Sequence, residues 1–474
     1  MEDRVEQYYN EGVEFIKLGR YSDALTSFDM VIEIKPDYAE AWSNRGAALG
    51  KLGLYSESIV SCDKANSIDP NNAATWNNRG VALGEIGQHL EALVSYEKAT
   101  TINPNHAKAW NNRGNELVKL SRYSEAVCSY DKAIVIKPDY TNAWYSRGVA
   151  LCHLCRYSDA LTSFESAIAI TPDHIDAWIN RGNALGRLGR HSEAVASYDK
   201  AIVIKPDYAE VWYNRGKPLI KLGRYTEALA SCEKAIAVNP DYVDAWNNRG
   251  VALNNLGRYT EALASFDRAI VINPDYPGAW GNRGISLNNL GRHSEALASC
   301  DKAVAINPNL AEGWINRGVV LDNLRRYTEE IDSYDRAIAI TPNDAEAWSN
   351  RGNALVELGR YPESLGSCDR AIVINPDFAE AWNNRGNALG RLGRHSEAVA
   401  SYDKAIVIKP DYAEAWNNRG AALGELGQYR EAIVSYDKAL VIKPDFTVAK
   451  HNRRIALEKK PDSSGLYENN LNGL

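Results

Sequence analysis

The sequence lacks the basic excess that nonspecific phosphate binding requires: Lys and Arg total 54 against 61 Asp and Glu, a net charge of −7. Nucleic acid is therefore not the expected partner. No run approaches the roughly 20 apolar residues of a membrane span, and Met1-Glu2-Asp3-Arg4 opens no apolar signal segment. The expectation is a cytoplasmic protein that does not engage a membrane. Cysteine is scarce, with seven residues, and four of them, Cys62, Cys232, Cys300 and Cys368, stand where Tyr or Phe stands elsewhere, as in Phe28 and Tyr96. These four replace core aromatics, and elements stacked about 10 Å apart would hold them on the order of 20 Å from one another, beyond disulfide reach. They are expected to be reduced and buried.

What the chain has is period. Twelve tryptophans, from Trp42 to Trp416, follow one another at 34-residue intervals without insertion or deletion. Thirteen of the seventeen prolines keep the same beat from Pro36 to Pro444. Such a period implies two short helices per unit, each unit packing on its neighbours, so one long array replaces the two or three domains this length would otherwise suggest. The first unit is read as 5–38 and the thirteenth ends at Phe446, with a lead at 1–4, a capping helix at 447–460 and a flexible polar tail at 461–474. The remainder has no room for a catalytic domain, so the protein is expected to be non-enzymatic, with no cofactor and no metal.

Residues 39–72, numbered 1 to 34, show the plan. Trp42, Gly46 and Leu49 fall at positions 4, 8 and 11 on one face of a first helix. Gly53 supplies a turn, Ser56 is placed to cap a second helix with Glu57 beside its positive end, and Pro70 closes the unit. Small residues at positions 8, 20 and 27, such as Gly114, Ala126 and Ala133, allow close helix approach. This pattern resembles the tetratricopeptide repeat family, whose Trp, Leu-Gly, Tyr, Ala, Phe, Ala and Pro signature is matched at nearly every position over residues 5–446. The resemblance implies an all-α, right-handed solenoid (superhelix) of thirteen helix-turn-helix repeats, with a concave groove lined by first helices.

Position 7, Leu in the family signature, is Arg in twelve consecutive units from Arg45 to Arg419, and position 25 is acidic in all thirteen. The first repeat has Asp29 but no arginine at position 7, while the C-terminal segment supplies Arg453 without an acid of its own. Pairing each acid one repeat forward gives a structural ion-pair ladder, Asp29 with Arg45, Asp199 with Arg215, through Asp437 with Arg453. Two places break the pattern. Pro218 inside a first helix predicts a kink, and Glu330 at a small position with Arg325 at a turn glycine predicts impaired helix approach; either is a candidate flexure point. An identical 31-residue string at 180–210 and 384–414 points to block duplication and to a surface used by repetition.

Enzyme-like motifs are weak. Cys152-His153-Leu154-Cys155 has no matching second ligand pair, and His89, His191, His293 and His395 stand three repeats apart. Position 6 carries more information, with Asn44, Asn78, Asn112, Asn180, Asn214, Asn248, Asn282, Asn316, Asn350, Asn384 and Asn418. An amide complements one peptide group, so such a row suits an extended backbone in the groove. It is similar to the asparagine ladder in the repeat domain of O-linked N-acetylglucosamine transferases, with Tyr145 and Tyr213 as added stacking points. The alternative is that these amides bond the neighbouring helix or water. Position 2 is usually acidic, as in Glu40 and Glu380, opposite in sign to the basic clamp by which some family members hold a chaperone tail. The expected function is a protein-protein interaction scaffold for extended peptide segments. A self-associating structural solenoid stands second and a single-stranded nucleic-acid reader third.

Overall fold

The structure, a computed structural model, describes residues 2–459. Met1, the expected tail at 461–474 and Lys460, the last residue of the expected cap, lie outside the described residues. Within them the regular structure is 27 α-helices, numbered α1 to α27 in chain order. The chain divides into two compact units, residues 1–238 and 239–474. The first holds the helix pairs α1 (Glu2–Lys17) with α2 (Tyr21–Ile34) through α13 (Ala209–Lys221) with α14 (Tyr225–Val238). The second runs from α15 (Val243–Asn255) to α27 (Thr447–Lys459). Helix α1 begins at Glu2, so the expected lead is already helical.

The tryptophan and proline periods have one physical cause. Each of the twelve indole N–H groups donates to the carbonyl of the proline six residues earlier, at 2.8–3.0 Å, as Trp42 does to Pro36 and Trp348 to Pro342. Close pairing follows from the position-8 glycine: a methyl on Gly114 would meet the Tyr130 ring at 2.5 Å. The turn needs a positive φ, which ten glycines supply at 70–80° and which Ser121, Cys155 and Arg325 adopt at 56–58°. Second helices begin at position 17, so Ser56 lies inside α4 (Tyr55–Ile68) and makes no cap; the N-cap is Leu54, without a side-chain bond. Where position 16 is arginine, the acid at position 19 pairs with it, as Glu193 does with Arg190 at 2.6 Å.

The two irregular repeats behave differently. Helix α13 runs unbroken through Pro218. The repeat is loosened: a methyl on Gly216 would stand 3.3 Å from Cys232 Sγ, against 2.4–2.6 Å at Gly46, Gly284 and Gly352, which also face cysteines. At Glu330 the helices stay close, since a methyl on Gly318 would meet the Tyr334 ring at 2.6 Å. The carboxylate is accommodated by burial, at 1% exposure, rather than by separation.

First helices of consecutive repeats touch one another within each unit, whereas second helices do not, so the first-helix side is the tightly packed side. The contact is at most marginal between α19 (Ala311–Asn323) and α21 (Ala345–Glu357), both in the second unit.

Candidate functional site

Three kinds of tie organise the side chains, two between repeats and one within a repeat. The first is the arginine rung. Arg45 Nε donates to Asp29 at 2.7 Å, Arg215 Nε to Asp199 at 2.6 Å, and Arg453 to Asp437. The same bridge recurs at Asp63–Arg79, Asp131–Arg147, Asp267–Arg283 and Asp403–Arg419. Sequence reasoning missed the third member. The guanidinium also donates to a serine at position 23 of its own repeat, as Arg45 does to Ser61 and Arg215 to Ser231, both at 2.7 Å. These serines pass the bond on to the position-19 carbonyl, so arginines such as Arg45 and Arg215 join two successive second helices of one unit through one first helix. The recurring serine was visible in the sequence, but its small size disguised it as a packing residue. The rung is less buried than expected, with Arg215 17% and Asp199 51% exposed.

The second tie involves the position-6 asparagines. Asn44 donates to Tyr9 Oη, Asn112 to Asn77 Oδ1 and Asn180 to Tyr145 Oη at 3.0–3.1 Å. Asn282 donates to Asn247, Asn384 to Ser349 Oγ, and Asn418 to Asn383 at 3.1–3.2 Å. Asn452 on α27 extends the row by donating to Asn417. Each of these ties has its acceptor at position 5 of the preceding repeat, with Asn418 also reaching Asn387 at position 9, and the position-5 residue decides whether the tie forms. Ile179 precedes Asn214 and Ile315 precedes Asn350, Gly281 precedes Asn316, and Ser43, before Asn78, accepts from Thr75 instead. Asn214 is buried, while Asn78, Asn248, Asn316 and Asn350 are half-buried. A tied asparagine has spent one N–H of its amide on the array. At Asn112 an oriented carbonyl and the second N–H remain for a ligand, whereas Asn418 also donates to Asn387 and accepts from Asn417.

The third tie joins position 9 to the core. Tyr130, Tyr198 and Tyr402 hydroxyls donate to Asn115, Asn183 and Asn387 at 2.8–2.9 Å. In the repeat of Asn353 the partner position is Cys368, which has no hydroxyl to give. Tyr145 is likewise engaged, with His174 4.8 Å from its ring and burial raising its pKa; Tyr213 lies beneath Lys217 Nζ at 4.6 Å.

The first-helix side carries a cavity at the same repeat position in both units. In the second it measures about 380 Å³, lined by Asn353, Glu357, Asn387, Arg391, Asn418 and Glu425 among others. In the first it measures about 290 Å³, lined by Val149, Cys152, His153, Asn180, Asn183 and Arg187 among others. Small residues open both, Gly390 and Cys152 at position 12 with Ala422 and Ala184 at position 10. Burial pushes the Cys152 thiol up to about 11, and His153 stacks on Tyr123 at 4.4 Å. Among the described residues no group of three or more His, Cys, Asp or Glu is arranged to hold a metal. His89 is 2.8 Å from Glu116, and His293 2.8 Å from Asn288.

Family profiles described as tetratricopeptide repeat match residues 39–72, 73–106, 95–127, 141–174, 213–277, 277–310 and 413–446. A further profile, described as TPR repeat, matches 12–53, 114–153, 182–219, 326–359, 352–393 and 391–427. The chain belongs to the tetratricopeptide repeat family. As a tetratricopeptide repeat protein it is a protein-interaction scaffold, and among its described residues no helix is long and apolar enough to cross a membrane. Its fold is similar to the crystal structure of the APC/C hetero-tetramer Cut9-Hcn1, at 14% identity over 96% of each chain and a TM-score of 0.50. YrrB, described as a TPR protein with an unusual peptide-binding site, is 25% identical, covering 40% of this chain and 97% of its own at a TM-score of 0.32. A tetratricopeptide repeat protein from Parabacteroides merdae is 19% identical, covering 52% and 98% at a TM-score of 0.43. No curated protein matches the sequence.

Proposed function

We propose that this tetratricopeptide repeat protein binds extended protein segments along the first-helix side of its units, without catalysing a reaction. The observation that carries this reading is the recurrence of a cavity at the same repeat position in both units, lined by asparagines such as Asn180 and Asn418 whose amides are held by the preceding repeat. Amides fixed before binding forfeit little entropy on meeting a peptide backbone. Peptides selected from a phage-displayed random library on the full chain test it. They should lose binding to a variant carrying Asn353→Ala, Arg391→Ala and Glu425→Ala. Binding should survive Lys302→Ala, Arg370→Ala and Lys404→Ala on second helices. Equal loss in both variants, or none in the first, removes the assignment.

A second reading rests on one observation. Position 29 of the second helices presents valines that stay largely exposed, Val203 and Val441 at 78% and Val407 at 77%. This apolar row favours self-association, and mass measurement across a concentration series distinguishes a self-assembling chain from a monomer.

A further inference from the structure

The two first-helix cavities stand at the same repeat position but differ in charge. In the first unit the lining residues come from α9 (Thr141–His153), the start of α10 (Tyr157–Ile170) and α11 (Ile175–Arg187), and none of them is acidic. Neighbouring arginines are paired, Arg181 with Glu165 at 2.9 Å and Arg190 with Glu193 at 2.6 Å. Arg187 is exposed and has no such partner among the described residues. Position 13, which it occupies, reads Lys119, His153, Arg187 and Lys221 on successive first helices of this unit. In the second unit the same position supplies Glu357, Arg391 and Glu425, so that cavity holds both signs. A cation suits the negative end of a helix dipole, but helix ends alone do not set the sign here. Both α21 and α25 (Ala413–Glu425) close on glutamates.

Hydrogen bonds inside the first-unit cavity give it the same bias. Asn180 donates one N–H to Tyr145 Oη at 3.1 Å, and its carbonyl accepts from Asn183 Nδ2 at 3.4 Å. The Asn183 carbonyl accepts in turn from Tyr198 Oη at 2.8 Å. Both carbonyls are engaged, and each amide keeps one N–H. In the second unit the balance is reversed at Asn418, whose two N–H groups go to Asn383 and Asn387. Cys152, whose thiol burial pushes up to about 11, brings no negative charge to the first-unit cavity. Val149 and Ala184 complete an apolar wall, against which an anion loses water and relies on the guanidinium and the amide donors.

We infer that this cavity receives an aspartate or glutamate side chain of the bound segment, with Arg187 as its counter-charge and the free N–H groups of Asn180 and Asn183 as further donors. This rests on the first-helix side being the binding side. A guanidinium suits the role because it meets a carboxylate through two parallel bonds. The occupant is a side chain rather than a chain end: the cavity lies between the fifth and sixth helix pairs of the unit, so an extended segment on that side runs past it in both directions. Its volume, about 290 Å³, is of side-chain size. Position 2 of α11 is Asp176, which does not line the cavity, so the basic clamp for a chaperone tail is not what forms it.

The probes are N-acetyl-glutamate methylamide and its neutral isostere N-acetyl-glutamine methylamide, compared by ligand-observed NMR on the full chain. The glutamate should bind roughly tenfold more tightly, and Arg187→Gln should abolish the difference. Arg187→Glu should move the preference to Nα-acetyl-lysine methylamide. Because Arg187 is exposed, both variants should keep the helical content of wild type by circular dichroism. Equal binding of the first two probes, or a preference that survives Arg187→Gln, overturns the inference. At the level of the segment, phage-displayed peptides selected on the full chain and depleted on Arg187→Gln should carry an internal Asp or Glu. Changing that acid to its amide should weaken binding to wild type and not to the variant, with the peptide C-terminus amidated throughout. If selected peptides bind through Asn353, Arg391 and Glu425 but none depends on Arg187, the broader reading stands and this inference fails. Dependence on a free C-terminus likewise overturns it.

Discussion

Replacing Glu330 with alanine should stabilise the second unit by an amount set by pH. Burial first, then Asp322 and Glu357, raises the folded-state pKa of this carboxyl from 4.5 to about 8. Below its unfolded pKa the group is protonated in both states and costs nothing. As pH rises, the unfolded chain gains an ionised, hydrated carboxylate while the folded chain keeps its proton, so stability falls until pH exceeds the folded value. At pH 7 the loss is about 3 kcal/mol, and Glu330→Ala should recover it, with little gain near pH 4. The assay is urea unfolding of wild type and variant by circular dichroism from pH 4 to 9, with hydrogen exchange locating the gain in α19 to α21. Exchange matters because a repeat array need not unfold in one step. A stability difference that is the same at every pH would refute the reasoning, since it would come from helix propensity or packing rather than from ionisation.

Asp199→Ala should cost about 1–2 kcal/mol, less than a sealed ion pair, because Arg215 keeps Ser231 and has Glu227 4.0 Å away; a double-mutant cycle with Arg215→Leu should show coupling, and additive losses would exclude the rung. Trp348→Phe removes the indole bond to the Pro342 carbonyl and should lower stability by about 1 kcal/mol, with local exchange at residues 342–348 accelerated. Arg325→Gly should stabilise by about 1 kcal/mol, because a non-glycine residue now holds φ at 56°; a loss in urea midpoint would show that its side chain matters more than its backbone. In the folded protein a thiol reagent should label exposed Cys128 and Cys155 while sparing Cys62, Cys300 and Cys368, whose buried thiols are pushed up to about 12. Mass spectrometry of digested protein reads the difference.

The fold was open to sequence reasoning because every repeat restates the same few constraints: a glycine pressed against an aromatic, a positive-φ turn and a proline-closed loop. The arginine pattern led to the right acids because both ends of the array break it in complementary ways. Ser61 and its equivalents escaped notice, since a small residue facing a helix looks like packing until a guanidinium is seen to reach it. The cap reading of Ser56 failed for a related reason. Leu54 is the cap and Tyr55 already starts the helix, so the hydroxyl lies two residues past the cap position and cannot serve the first free amides. The asparagine row was found, but whether its amides faced outward or sideways depended on position 5 of the preceding repeat, a relation spanning 35 residues. Glu330 was expected only to impair helix approach, because nothing local announced that its carboxylate would be buried with Oε2 left unpartnered.

A surface that restates itself every 34 residues offers an extended guest many equivalent resting places, and a guest held only by equivalent contacts is free to slide. The inter-repeat asparagine ties are interrupted where Gly281 and Ile315 leave Asn316 and Asn350 without acceptors, so translation by one repeat is no longer a symmetry of the second unit. Those two lapses act as index marks. On the proposed binding side they would let a chain of near-identical repeats distinguish one address along its length from the next without abandoning the packing that every repeat shares.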